Sequence, residues 1–329
     1  MTSTMKAAIF EEYGRPFHLT TMPRPSAGPG DVLVRIRASG TNPLDLKIHD
    51  GSAAHARQLP PTVLGLDMAG IIEAIGSDVT RFKAGDEVYG MVGGVGGLQG
   101  TLAEFAVVDP DLLALKPANL SFREAAVLPL VVITAWEGLI DRMQVKSGDK
   151  LLVQGGAGGV GTAAIQLARH FGADVFATGS KSSREVIERA GATFIESSEA
   201  VVDYVGRLTG GHGFDKVFDT VGGAGLDASF EAVRKFGHVA SALGWGKHLL
   251  APLSFKAASY SGVFTLMPLL TGEGRRHHGR ILLEVARMVE AGQLRPHISG
   301  ERFTLETAFD AYQAIAERRS RGKFVVEIG

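Results

Sequence analysis

Apolar residues in the first third of the chain come in short runs broken by Gly, Pro and Asp. MKAAIF, DVLVRIRASG, AGIIEAIG, DEVYGMV and TLAEFAVVD are such runs, and their length between turn formers predicts strands. PRPSAGPGD and LPPTVLG read as loops. From about residue 121 the period changes to that of a helix. SFREAAVLPLVVITAWEGLI has helical spacing, and Ser121 followed three residues later by Glu124 gives it a capping-box start. Strands then alternate with helices: KLLVQG, a helix through VGTAAIQLARHFG, ADVFATG, a helix in SSREVIERAG, then ATFIE, FDKVFDTVG and GHVASALG with helical stretches between them. This alternation predicts βαβ units around a parallel sheet, so an α/β fold. After about residue 270, GRILLEVARMVEAGQ and LETAFDAYQAIAER predict helices, and GKFVVEIG a final strand. No internal repeat or long linker interrupts the pattern.

Composition narrows the classes. The 329 residues, enough for two domains with real cores, are 45% hydrophobic and 21% charged, with a net charge of −1, as in ordinary globular proteins. Near-neutral charge gives no footprint for nucleic acid or an anionic membrane surface. The chain has 0 cysteines, which removes disulfides, thiolate metal sites and cysteine nucleophiles together. MTSTMKAAIF lacks the apolar core of a signal peptide. The most apolar run, AAVLPLVVITAWEGLI, is short for a membrane span and contains Pro129 and Glu137. The expectation is a soluble, cytoplasmic protein acting on a small molecule.

Candidate chemistry starts at QGGAGGVG. Gly156, Gly158 and Gly161 form G-x-G-x-x-G, a weak pattern alone in a chain of 43 glycines. Here it follows a strand, opens a helix and heads a βαβ series. One glycine then makes the tight turn, one lets a pyrophosphate approach the backbone, and one lets helix and strand pack closely. Free N–H groups at the helix N-terminus receive the phosphates. Gly156, Ala157, Gly158, Gly159, Val160 and Gly161 are the candidate cradle; the competing reading is a tight turn with no ligand. An NAD site places Asp or Glu at the end of the second strand. That strand ends Ala177-Thr178-Gly179-Ser180-Lys181-Ser182-Ser183-Arg184, with hydroxyls and two cations and no acid. Thr178, Ser180, Lys181 and Arg184 therefore point to NADPH, whose 2′-phosphate suits such groups. The same residues also suit a polar loop with Ser182 or Ser183 as a helix N-cap.

These segments together resemble the medium-chain dehydrogenase/reductase superfamily, in its zinc-free quinone oxidoreductase (zeta-crystallin-like) branch. MKAAIFEEYG, GDVLVRIRASGTNPLDLKIHDG, VLGLDMAGIIEAIGSDVTRFKAGDEVYG, GTLAEFAVV, LPLVVITAWEGL, VQGGAGGVGTAAIQLA, GFDKVFDTVGG and GKFVVEI match family segments in order over nearly the whole chain. The resemblance implies a GroES-like β-rich catalytic domain over residues 1–125, completed by 267–329. It implies a Rossmann doubly wound NADP-binding domain over 126–266, and an active site in the cleft. It further implies an NADPH-dependent reductase of quinones or α,β-unsaturated carbonyls, acting as a homodimer.

Zinc-dependent relatives carry a cysteine where this chain has Asn42, a His-Glu pair where it has Leu66-Asp67, and a further cysteine near Leu130. No metal site is therefore expected. His277-His278 reads as a solvated basic turn in GRRHHGR. Without zinc, alcohol oxidation lacks a Lewis acid, whereas an electron-poor acceptor takes hydride directly. The candidate catalytic residues are Asn42, Asp45 and Thr134. Asn42 is read as binding the substrate carbonyl or the nicotinamide ribose, or as a turn residue before Pro43. Asp45 is read as ordering that loop or the ribose side, and Thr134 resembles a family threonine near the nicotinamide. Asp67 is given a local structural role. Gly262 and Phe264, within Gly262 to Thr265, match the backbone that holds the carboxamide in relatives. Many relatives place a tyrosine after the segment matching KIHDG, and this chain has none between Tyr13 and Tyr89. MVGGVGGLQGT is read as a mobile loop at the cleft edge. The competing functions are an enoyl-thioester reductase and a non-catalytic NADPH-binding protein.

Overall fold

The computed structural model describes residues 3–319 and 322–329. In chain order the first strands are β1 (Thr4–Phe10), β2 (His18–Pro23), β3 (Val32–Gly40), β4 (Thr62–Val63), β5 (Asp67–Ile75), β6 (Glu87–Met91), β7 (Phe105–Val108) and β8 (Leu113–Leu115). With them come helices α1 (Pro43–His49), α2 (Phe122–Ala125) and α3 (Pro129–Trp136). A βα series follows: β9 (Lys150–Gln154), α4 (Gly159–His170), β10 (Asp174–Gly179), α5 (Arg184–Ala190), β11 (Thr193–Glu196), α6 (Val201–Thr209), β12 (Phe214–Asp219), α7 (Ala224–Ala232), β13 (Val233–Ser241), α8 (Ala251–Phe255) and β14 (Ser259–Gly262). The chain ends with α9 (Met267–Thr271), α10 (Arg275–Glu290), β15 (Phe303–Thr304), α11 (Ala308–Ala316) and β16 (Val325–Glu327). These elements form two compact units, Met1–Leu130 with Leu266–Gly329, and Val131–Thr265.

The first unit is the β-rich one. Its main sheet runs β15-β16-β3-β5-β6-β8, with β7 also on β3, and a smaller sheet runs β2-β1-β4. β3 is the central strand: Val34, Ile36 and Ala38 are buried while Arg35 faces solvent, the alternation of a half-buried strand. β16, from the far end of the chain, pairs antiparallel with β3 through Val325–Gly40 and Glu327–Ala38. The C-terminal segment is thus part of the first unit's core.

The second unit is a six-stranded parallel sheet in the order β11-β10-β9-β12-β13-β14. Successive strands run outward from β9 to β11 and then from β12 to β14. The strand order therefore reverses between β9 and β12, the point of an open α/β sheet where ligands bind. The fold class read from the sequence, a GroES-like β-rich domain and a Rossmann sheet, is the fold observed.

Several local expectations need correction. SFREAAVLPLVVITAWEGLI is not one helix: it splits into α2, α3 and a π-helical turn over Glu137–Arg142. Pro129 cannot sit inside a helix, so α3 starts at it. The Ser121–Glu124 capping box is present, with the Glu124 carboxylate accepting from the Ser121 N–H at 2.9 Å. His277 and His278 lie inside α10, and His278 is fully buried. It shares the apolar face with Ile281, Leu282 and Val285, so the solvated basic turn is overturned by helical periodicity. The 91–101 segment is packed rather than an open edge. Val92 and Val95 are buried, and a side chain at Gly94 would meet the Gly65 carbonyl oxygen at 2.6 Å. Gly93, Gly94 and Gly100 there serve close backbone approach. Among the described residues no helix is long and apolar enough to cross a membrane.

Gly40 tests the packing of β3. A Cβ there would run into the Ala126 backbone carbonyl just past α2, and backbone cannot rotate out of the way. Gly40→Ala should cost about 1–3 kcal/mol by overpacking, read as a lowered melting temperature. An unchanged melt would show that the α2 end yields freely.

Candidate functional site

Two groups of residues carry candidate chemistry, one in each unit. In the second unit β9 ends at Gln154, and the glycine loop turns into α4. The glycines divide the work. Gly155 adopts φ +79°, the left-handed turn conformation. A Cβ on Gly156 would meet the Ala177 Cβ at 2.6 Å, and one on Gly161 would run into the Gly155 carbonyl. Those two positions therefore need glycine for packing alone. Gly158 differs. It is the N-cap of α4 with φ −71° and ψ 167°, an extended backbone open to any residue. A Cβ there would have only the Gly155 oxygen near it, at 3.6 Å. Nothing in the folded chain excludes a side chain at Gly158, yet it stands exposed at a helix N-terminus where N–H groups lack intrahelical partners. A pyrophosphate fits that cradle. Ala157, Gly159 and Val160 border it as half-buried neighbours.

The loop is braced from below by Thr178, named from the sequence as a candidate cofactor contact, and by Gln154, Thr220 and Asp219, which sequence reasoning passed over. Thr178 at the end of β10 takes the Gly156 N–H on its carbonyl at 2.9 Å and the Gly155 N–H on its hydroxyl at 3.1 Å. Its own hydrogen goes to Gln154 Oε1 at 2.7 Å, so Thr178 shapes the loop with that proton already committed. The Thr220 hydroxyl donates to the Gln154 carbonyl at 2.7 Å. Beyond β12, the buried Asp219 accepts from the Val221 and Gly222 N–H groups at 3.0 Å and from the Ser241 hydroxyl at 2.6 Å. The ends of β9, β10, β12 and β13 are thereby tied at the reversal point.

At the end of β10, Ser180, Lys181 and Arg184 lie together around a short 3₁₀ turn. The Ser180 hydroxyl pairs with Ser183 at 2.9 Å, and Ser183 is the residue before α5. Arg184 is partly committed: it pairs with Glu188 at 3.1 Å and lies 4.3 Å above the Phe194 ring. Exposed i,i+4 pairs are weak, so this one can be exchanged for a phosphate. At the sheet's other end Gly262 closes β14 and Phe264 packs edge-on against Trp245, with centroids 6.0 Å apart. Thr134 is buried, with its hydroxyl 3.0 Å from that of Thr265, which donates to Glu137 at 3.0 Å.

The first unit holds a buried polar cluster around Asn42. Asn42 is the N-cap of α1, Pro43 takes the first helical position, and Asp45 accepts the Asn42 N–H at 2.9 Å. The Asn42 side-chain amide donates to Asp67 Oδ2 at 3.1 Å and to the Gly40 carbonyl at 3.4 Å. Asp67 also receives the Lys323 ammonium at 2.6 Å and the Leu130 N–H at 2.9 Å. Tyr312 donates to Asp45 at 3.3 Å. Burial pushes the Asp45 carboxyl up to about 7; the Asn42 N–H opposes this and the nearby Asp67 charge adds to it. Burial also raises Asp67, against the pull of Lys323. Tyr312 is raised by burial and by Asp45. Lys323 and Tyr312 come from the last tenth of the chain, and no local motif announced them. Among the described residues no group of three or more His, Cys, Asp or Glu is placed to hold a metal ion.

The glycine division predicts contrasting variants. Gly158→Val should fold, melt near the ligand-free parent and show no NADPH-induced rise in melting temperature, because the branched carbons fill the phosphate's place. Gly161→Ala should melt well below the parent. If Gly158→Val keeps the full NADPH shift, the cradle reading is wrong.

Asp45 predicts a pH effect. Its folded value of about 7 lies above the ordinary 3.8, so the folded state binds more protons between those values. Stability from this group therefore falls as pH rises through that window, and the penalty is complete above it. Asp45→Asn removes the titration. Melts from pH 5 to pH 8 should show the parent losing ground to the variant as pH rises; parallel curves would refute the assignment.

Comparison with known proteins agrees with this architecture. The Alcohol dehydrogenase GroES-like domain family matches residues 28–118, and the Zinc-binding dehydrogenase family matches residues 190–326. The NADPH-dependent alkenal/one oxidoreductase, chloroplastic, of Arabidopsis thaliana is 32% identical over 98% of this chain and 79% of its own. The spectinabilin polyketide synthase system protein NorB of Streptomyces orinoci is 34% identical over 91% of this chain, which spans only 13% of that protein. An alcohol dehydrogenase superfamily protein from Novosphingobium aromaticivorans superposes with a TM-score of 0.98 at 53% identity, covering 99% of this chain and 100% of that one. A quinone oxidoreductase from Coxiella burnetii superposes with a TM-score of 0.85 at 29% identity, over 99% and 100%. The chain belongs to the medium-chain dehydrogenase/reductase superfamily, in the zinc-free quinone oxidoreductase branch.

Proposed function

We propose that this oxidoreductase uses NADPH to reduce a quinone or an α,β-unsaturated carbonyl, without zinc, as a cytoplasmic homodimer. The observation that carries the reading is Gly158. It is a helix N-cap with room for a side chain and none present, above a loop braced by Thr178, Gln154 and Thr220. The bound nicotinamide would supply the hydride. The chain's own part is to hold and orient. Gly156 to Gly161 receive the pyrophosphate, Ser180 and Lys181 with Arg184 favour a 2′-phosphate, and Gly262 and Phe264 border the carboxamide. Asn42, Asp45 and Thr134 are the polar groups proposed to meet the reacting pair. An alkenal/one reductase among the relatives supports an enone acceptor and NADPH.

The residues argue against a catalytic zinc. Asn42 and Leu66 stand where the resemblance places ligands, and neither is a thiolate or an imidazole. A Lewis acid is dispensable when the acceptor is already electron-poor. For the dimer, β14 is an edge strand, and Trp245, Leu249, Leu250 and Phe255, in the segment that precedes it in the chain, expose apolar surface. Such an edge is a ready template for pairing with a second copy. The likeness to the CurK enoyl reductase favours one second reading, reduction of an enoyl thioester.

One experiment separates these. NADPH oxidation is followed with a benzoquinone, a naphthoquinone, an alkenal and an enoyl-CoA, with and without chelator, and repeated with NADH. The expected result is turnover of a quinone or the alkenal, indifferent to chelator and much faster with NADPH. Turnover of the enoyl-CoA alone would favour the second reading. Loss of activity on chelation, or no oxidation with any acceptor, would refute the proposal.

A further inference from the structure

Asn42 is held so that only one of its functions is left. Both amide hydrogens point to acceptors, one to Asp67 Oδ2 at 3.1 Å and one to the Gly40 carbonyl at 3.4 Å. Its Oδ1 is buried; it faces the Asp45 N–H in the capping box, but that hydrogen goes to the Asn42 main-chain carbonyl at 3.0 Å, and Oδ1 keeps no full hydrogen-bond partner. Turning the amide over would set Oδ1 against a carboxylate oxygen and a carbonyl oxygen, and strand the hydrogens. The Lys323 ammonium opposes protonation of Asp67, so the carboxylate is poorly able to offer a proton to a turned amide. Asp67 Oδ1 takes the Leu130 N–H at 2.9 Å, and Oδ2 takes the Lys323 ammonium at 2.6 Å. Lys323 is itself pinned by the Val127 carbonyl at 3.2 Å and is nine-tenths buried. The Asn42 main chain is fixed by Asp45. A buried amide acceptor left unpaired is costly, so its position marks a place where a donor is received.

We infer that Lys323 is a positioning residue which, through Asp67, fixes the Asn42 amide as an acceptor for a ligand hydroxyl. Asn42 therefore does not donate to the substrate carbonyl. This rests on the reductase reading above. Two ligands bring such a hydroxyl: the cofactor, on its ribose, and the reduced product, as a phenol. Both share the donor chemistry that the orphaned Oδ1 requires, and a carbonyl lacks it. The pair itself is ill suited to meet substrate, since the Lys323 charge is spent on a carboxylate and a main-chain carbonyl.

The test is a double-mutant cycle read by calorimetric binding of NADP⁺ and, separately, of hydroquinone. Asn42→Ala should weaken one of these ligands roughly three- to tenfold, the usual worth of one hydrogen bond. The neutral pair Asp67→Asn/Lys323→Met keeps the volume but frees the amide to turn, and buried ion pairs often tolerate such replacement. It should weaken the same ligand to a similar degree, and add nothing when combined with Asn42→Ala. Weakened NADP⁺ identifies the ribose as the source; weakened hydroquinone alone identifies the product. If the double replacement does not fold, Lys323→Met alone, with Asp67 free to take a proton, carries the same cycle. The inference is overturned if Asn42→Ala leaves both affinities unchanged. It is equally overturned if the pair's loss adds to that of Asn42→Ala, because the pair then acts by another route. A rise confined to the acceptor's KM would instead restore donation to the carbonyl. If the parent binds neither ligand, the reductase reading falls and this inference falls with it. Binding by the parent with no response to Asn42→Ala sinks this inference alone.

Discussion

The pairing of Lys323 with Asp67 joins residues 256 positions apart and sets what the first unit can do. A carboxylate with no exposure needs a counter-charge, and its own neighbourhood in the sequence, VLGLDMAG, has none. The counter-charge arrives because β16 returns to the free edge of β3, bringing the residues just before it alongside Val127 and Asp67. Once the pair is formed, everything near it is constrained. The Asn42 amide has one orientation, the Leu130 N–H has a partner, and the α1 start is held by Asp45. The last residues of the chain thus help shape a site whose named candidates lie near its beginning.

A second constraint governs the other unit, and it concerns backbone rather than charge. Where β9 passes into α4, two glycines are needed because the chain itself leaves no room, and one is there although the chain leaves ample room. Only the last kind speaks of a ligand. A G-x-G-x-x-G pattern does not make that distinction, because all three positions look alike as letters. The geometry of the neighbouring Ala177 and Gly155 separates them, and with that separation the motif becomes an argument about occupancy.

How far the sequence could be read follows from the range of each interaction. Strands and helices of the βα series were legible because periodicity is local, and β9, β10 and β12 appear where apolar runs lay between turn residues. β2 was not, since its residues are all exposed or half-buried and its letters, HLTTMP, carry no apolar–polar alternation. α1 was missed because Asn42-Pro43 reads equally as a turn; the capping by Asp45 that makes it a helix start becomes visible only in space. His278 was misplaced for the opposite reason: polar neighbours in GRRHHGR masked its membership of the apolar face it shares with Ile281 and Leu282. Asn42, Asp45 and Thr134 entered through a resemblance. Lys323, Tyr312, Gln154 and Thr220 did not, because each acts through a partner distant in sequence or through the main chain.

The charge arrangement around Asn42 also bears on which reaction the proposed enzyme can support. A lone ammonium near a substrate carbonyl would polarise it and widen the range of acceptors. Here the ammonium is 2.6 Å from a carboxylate and its remaining reach goes to a carbonyl, so its field outside the pair is largely cancelled. Asn42, with both hydrogens committed, adds no donor. On the proposed reading, the Asn42 cluster would therefore supply orientation and an acceptor rather than electrophilic assistance. In the proposed reduction that division suits an acceptor whose own conjugation lowers the barrier to hydride attack. It does not suit an unactivated ketone, which would have to be polarised by a group this cluster has already spent.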